Sequence, residues 1–169
     1  MASISPRSIL YIAAIAILLV ALPGAIWRII QTGDPYLFTE QFFQDILARL
    51  SGPGRLRFII QPTVAIILGA RSGIKDAQAG YAPFLWALVF HGARRRELLQ
   101  SAFVSVRDLV AIAVLLDVIS QFLIFQQIRP GAALVVGPVL ITLPYVLSRA
   151  LTNRIIRSRA HVVPTAHAR

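Results

Sequence analysis

Asp117 is the residue of this chain best placed to do chemistry, because it stands near the middle of the otherwise uncharged run 109–125. A charged carboxylate at mid-bilayer depth costs about 2.5 to 3.5 kcal/mol on insertion scales, so it requires a proton, a hydrogen bond or a cation. Ser120 and Gln121 follow three and four residues later, the spacing that sets all three on one helical face. Gln61, Thr63 and Thr142 lie at matching depth in other apolar runs and can meet this stripe. Two chemistries fit: a proton-relay or ion site, and a buried polar clasp between helices. No lysine or arginine is expected at the depth of Asp117, and a single unpaired carboxylate favours the clasp, with any cation supplied by a partner.

The other reactive side chains form no recognisable constellation. His91, beside Gly92 and the run Arg94, Arg95, Arg96, could present a neutral imidazole to a haem iron or a chlorophyll magnesium; local hydrogen bonding is the plainer role. His161 and His167 fall in a polar tail, and the three histidines make neither a paired haem site nor a zinc motif. Cysteine is absent, which removes disulfides, thiolate metal sites and a cysteine nucleophile. No spacing sets a nucleophile beside a base, so the chain reads as noncatalytic, and no cofactor is specified.

These residues are carried by elements built for lipid. Hydrophobic residues make up 57% and charged residues 14% of the 169, against roughly a quarter charged in soluble domains. Four runs, 9–26, 56–70, 109–125 and 131–147, are nearly free of charge and lack period-two alternation, so they must be helices with internally satisfied backbones. The expected fold is all-α: one membrane domain, 1–169, with four transmembrane helices plus short interfacial helices at 37–50 and 81–106 and a polar tail at 149–169. The first run resembles a signal peptide, but Pro23 and Gly24 interrupt its small-residue site, and it reads as a retained anchor. Its small residues Ala13, Ala16, Ala21 and Ala25 would let another helix approach. The run 56–70 reaches only about 22 Å, short of the ~30 Å hydrocarbon core.

Cation placement sets the expected topology. With four crossings, one side holds Arg7, Arg71, Lys75, Arg94, Arg95, Arg96, Arg107, Arg149, Arg154, Arg157, Arg159 and Arg169. The other holds Arg28, Arg49, Arg55, Arg57 and Arg129, a twelve-to-five bias that puts both termini in the cytoplasm. Arg55 and Arg57 would snorkel to lengthen the short second span. Within 37–50, Leu37, Phe38, Phe42, Phe43, Ile46, Leu47 and Leu50 form an apolar face, while Glu40, Gln44, Asp45 and Arg49 take the water-facing positions. In the loop after the second span, Gly73 and Gly80 read as helix breakers, and the last span carries Pro138 and Pro144 as expected kinks. The cations Arg94, Arg95, Arg96, Arg154, Arg157 and Arg159 suit anionic lipid or an acidic partner; with no folded basic module or aromatic platform, nucleic acid is not an expected ligand.

The string RFIIQPTVAIILGARSGIKDAQAG, continued by PFLWALVFHGARRRELL, resembles a group of small bacterial inner-membrane proteins of uncharacterised activity. The resemblance spans at most the middle half of the chain and implies a bacterial membrane location, but no activity and no site residue. The expected role is a noncatalytic accessory or scaffold subunit working with other membrane subunits or as a homo-oligomer. The alternative is a small transporter or proton-conducting component centred on Asp117.

Single cysteines placed at positions 3, 40, 90 and 165 in intact cells check the topology. Only position 40 is expected to react with an impermeant reagent; labelling of 90 or 165 from outside would contradict four crossings.

Overall fold

The computed structural model describes residues 5–33, 36–90 and 92–162, with side chains to residue 159. It contains α1 (Pro6–Thr32), α2 (Glu40–Ser51), α3 (Arg57–Gln78), α4 (Phe84–Phe90), α5 (Arg95–Phe125) and α6 (Pro130–Val162), with a single 3-10 turn at Gly92–Arg94. No strand occurs among the described residues, and the all-α expectation holds. Three helices, α1, α5 and α6, are long and apolar enough to cross a membrane. The 22 residues of α3 reach about 33 Å, but Arg57, Arg71, Lys75 and Asp76 make it more polar than those three.

Local chemistry sets several ends. Ser5 caps α1 by accepting the Ser8 N–H at 3.2 Å, with Pro6 in the first turn. Gly33, at φ 72°, closes the same helix by donating to the Ile29 carbonyl. Thr39 caps α2 through the Phe42 N–H, and Glu40 and Arg49 at opposite ends complement the helix dipole. Residue 35, just ahead of α2 in the sequence, lies outside the described residues.

Three expected boundaries move. The segment 95–106 is not a separate interfacial helix but the first part of α5, which runs for 31 residues, about 46 Å. Arg107 and Asp108 mark a change of polarity, yet neither breaks a helix. Gly73 is interior to α3 rather than a breaker, whereas Gly80, at φ 73°, does follow the end of that helix. The region from 149 onward, expected as a tail, continues α6 to Val162 because nothing after Pro144 interrupts it.

The chain divides into two compact units: residues 1–61 with 107–141, and residues 62–106 with 142–169. In the first, α1 and α5 run in the same direction. Tyr11 of α1 donates to Asp108 early in α5, and farther along both helices Ile17 and Leu18 pack on Val114 and Val118. The start of α6 returns antiparallel to α5. Ala133 packs with Val118, while Gly137 lies against the backbone of Ala113 and Val114, where a side chain would come within 3.0 Å. Only four residues connect α5 to α6, as expected for a tight helical hairpin.

In the second unit α3 and α6 run parallel. Gly69 and Gly73, spaced as a small-xxx-small pair, meet the Tyr145 and Arg149 carbonyls of α6, and a Cβ at either glycine would overlap those oxygens. Ser72 and Asp76 share that face, bonding to Tyr145 and Arg149 respectively. Phe84 and Ala87 of α4 pack on Leu98, with Ala102 and Val146 beside them. Leu98 and Val106 are buried by protein, while Leu99 and Phe103 of the expected interfacial segment 81–106 are exposed.

Gly73→Ala is expected to lower stability in detergent by at least about 1 to 3 kcal/mol, because the obstacle is a backbone carbonyl of α6. Gly24→Ala, whose Cβ would meet nothing within 4 Å, is expected to be neutral or slightly stabilising. Thermal unfolding of the two purified variants checks the contrast.

Candidate functional site

Asp117 is fully buried, and its own chain supplies the cations that the sequence reading lacked. Arg57, in the first turn of α3, donates from Nη2 to Oδ1 at 2.5 Å. Arg49, in the last turn of α2, places Nη1 3.6 Å from the same oxygen. Gln121 donates from Nε2 to Oδ2 at 2.6 Å, so both carboxylate oxygens are engaged. The expectation that Arg57 snorkels is therefore overturned: opposite charge on α5 holds its guanidinium inside, while Arg55 is exposed.

The same correction applies to α2. Arg49 and Asp45 do not face water. Arg49 is fully buried, and Asp45 sits at a mostly buried ion pair with Arg129. Phe42 is buried beside them, whereas Phe43, Leu47 and Leu50 form a separate exposed apolar strip. The helix thus turns an aromatic and charged side toward protein, which a two-faced reading of its sequence misses.

These contacts form one connected network in the first unit. The Gln121 side-chain oxygen accepts the Arg129 backbone N–H at 2.7 Å. The Arg129 guanidinium donates to Asp45, which also accepts the Tyr36 hydroxyl at 2.5 Å. Burial, followed by this bond to Asp45, raises the Tyr36 phenol above its usual range, so at neutral pH it remains a donor. Arg129 stacks on the Tyr36 ring at 4.0 Å, and the Phe125 ring lies 5.8 Å from both Arg49 and Arg129. Three guanidiniums therefore face two carboxylates.

Ser120 is buried next to Gly54, whose φ of 85° and 2.7 Å clearance to the serine oxygen both exclude a larger residue. Gln61 is buried one turn beyond Arg57, and neither of its amide atoms has a partner among the described residues. Thr63 and Thr142 belong to the second unit, where each has an interaction partner. The geometry therefore joins Asp117 and Gln121 directly and adds Arg49, Arg57, Arg129 and Asp45.

A second polar centre is built around Arg149. Its Nε and Nη2 donate to the two Asp76 oxygens at 2.6 and 3.0 Å, a bidentate pair across α3 and α6. Nη1 donates to the Tyr145 hydroxyl and Nη2 also to Ser101, both at 3.2 Å, while the guanidinium lies 4.5 Å over the Phe84 ring. Asn153, fully buried, donates to the Tyr81 carbonyl. Tyr145, Arg149 and Asn153 recur every four residues, a polar stripe legible in the sequence but hidden because Arg149 and Asn153 lie beyond the expected span.

The cationic cluster separates by role. Arg94 stacks on Tyr81 at 4.1 Å and pairs with Glu97, and Arg95 donates to the Leu88 and Val89 carbonyls at the end of α4. Arg157 donates to the Tyr81 carbonyl. Arg96, Arg154 and Arg159 are exposed. The proposed pigment or haem ligand, His91, lies outside the described residues. Among those residues, no group of three or more histidine and carboxylate side chains could hold a metal.

Removing Arg57 strips Asp117 of its close hydrogen-bonded cation. Arg57→Met is expected to cost about 3 kcal/mol or more in unfolding experiments, the scale for breaking a buried pair. Arg49→Met is expected to cost less than about 1 kcal/mol. None of the Arg49 nitrogens has a hydrogen-bond partner among the described residues, and its loss leaves Asp117 held by Arg57 and Gln121.

No protein-family model, curated protein or solved structure matches this chain, and the chemistry of the site rests on its own residues.

Proposed function

We propose that this chain is a noncatalytic accessory or scaffold subunit of a membrane protein complex in a bacterial inner membrane. The observation that carries this reading is the internal occupation of Asp117: both oxygens are held by side chains of the same molecule. A carboxylate used in this way links α3 to α5 and offers no free oxygen to a transported ion. Helix α1 supplies a complementary feature. Ile12, Ile15, Leu19, Val20, Trp27 and Ile30 leave a long apolar face exposed, suited to lipid and to the helices of neighbouring subunits.

We further propose four crossings with both termini in the cytoplasm, a reading that helix direction and charge support. The parallel course of α1 and α5 requires a return between them if both cross the bilayer. Among the described residues between them α3 alone is long enough to make it, and its Arg57 and Asp76 are neutralised by Asp117 and Arg149. Pairing also sharpens the positive-inside bias. Of the five arginines assigned to the outer side, Arg49, Arg57 and Arg129 are ion-paired inside the fold, leaving Arg28 and Arg55.

Purification from native membranes in mild detergent, followed by mass spectrometry, is expected to recover other membrane subunits in fixed stoichiometry. Recovery of a solitary homo-oligomer would contradict the accessory role. Asp117→Asn is expected to preserve assembly, and wild-type and variant proteoliposomes are expected to show the same ion flux. A wild-type flux abolished by the substitution would establish the transport alternative instead.

A further inference from the structure

The second unit contains a groove of about 740 Å³ between the start of α4 and the later part of α6. Leu85, Trp86, Leu147 and Leu151 give it apolar walls, and Arg154 and Arg157 lie at one end. This order along α6 is directional: leucines at 147 and 151 lie within the apolar part of the helix, and the arginines follow one turn later. A ligand lying along it must therefore be apolar first and anionic at its end.

The two arginines are unequally engaged. Among the described residues Arg154 is exposed and forms no hydrogen bond or ion pair, whereas Arg157 donates only from Nη1, to the Tyr81 carbonyl. That bond anchors Arg157 beside the groove and leaves its charge uncompensated. The nearest acidic side chains of the unit are committed elsewhere, Glu97 to Arg94 and Asp76 to Arg149. Trp86, half exposed on the groove wall and stacked on Phe90 at 4.0 Å, is the amphipathic residue type that settles at headgroup depth. No carboxylate lines the groove, so a zwitterionic headgroup would find a partner for its phosphate but none for its ammonium.

We propose that this groove binds one anionic phospholipid, with an acyl chain along Leu147, Leu151 and Leu85 and the phosphate held by Arg154 and Arg157. Guanidinium pairs match phosphate oxygens in a forked geometry, and basic pockets beside membrane helices on the cytoplasmic side recognise such headgroups. The site is independent of the accessory-subunit reading, because it uses only residues of this unit and would operate in an isolated chain.

The test is native mass spectrometry of the full-length protein in mild detergent, titrated with phosphatidylglycerol or phosphatidylcholine of the same acyl chains. Wild type is expected to retain one phosphatidylglycerol with about thirtyfold preference over phosphatidylcholine, from roughly two cation contributions. Arg154→Gln with Arg157→Gln is expected to reduce that preference to within about twofold. Arg71→Gln with Lys75→Gln removes the same charge from two exposed residues outside the groove lining and is expected to leave it unchanged. Leu151→Trp, which fills the groove without altering charge, is expected to reduce retention of both lipids. Equal loss in the two double variants, no lipid preference in wild type, or unaffected retention in Leu151→Trp would each overturn the proposal. So would recovery of an acidic peptide on the same residues in place of the lipid.

Discussion

A carboxylate and a guanidinium are each costly to remove from water, and this fold depends on bringing them inward together. Asp117 meets Arg57 and Arg49, Asp45 meets Arg129, Asp76 meets Arg149, and Asp108 meets Arg7. Each pair joins residues distant in sequence. The pairs are not equal, because the Arg7 contact is largely exposed and worth little, whereas those at Asp117 and Asp76 are buried and tied by further hydrogen bonds, Gln121 donating to Asp117 and Arg149 donating to the Tyr145 hydroxyl. Loss of one buried partner would strand the other charge, so these pairs constrain which helices can be neighbours more than they add net stability.

Close backbone approach completes that constraint. In the second unit Gly69 and Gly73 bring α3 near enough to α6 for Asp76 to engage Arg149 with both oxygens, and the bidentate contact fixes the register of the two helices. In the first unit Gly137 does the same for α5 and α6, while Gly54 admits Ser120 beside the Asp117 cluster. Apolar matching alone would not fix register, since lipid solvates a leucine face about as well as another helix does. Small residues set the distance and charged pairs set the position.

Much of the helical content was legible in the sequence, because uncharged runs and helix breakers are local signals. The runs at 9–26, 109–125 and 131–147 all fall within the three long apolar helices. The helix ends were less legible. Charges at Arg107, Asp108 and Arg149 were read as limits of secondary structure, but they mark polarity within continuous helices. The polar face of Asp117 and Gln121 followed from three- and four-residue spacing, whereas Arg49 and Arg57 did not, because their contacts join helices separated by long stretches of sequence. Their only local hints were the spacings Asp45 to Arg49 and Arg57 to Gln61, each one helical turn, in segments taken as facing water or headgroups. The small-xxx-small pair Gly69 and Gly73 was visible, but Gly73 was read as a break, since the partner surface on α6 lies more than seventy residues away.

The most direct measurement of this dependence on paired charge is a double-mutant cycle on Asp76 and Arg149, with unfolding free energies measured in one detergent for wild type, Asp76→Leu, Arg149→Met and the double variant. Each single substitution is expected to cost about 3 to 5 kcal/mol, and the double variant is expected to recover much of that loss because no unpaired charge remains buried. A coupling of about 2 kcal/mol or more is the result that paired burial requires. Additivity within about 0.5 kcal/mol would contradict it, since the two charges would then act independently of each other.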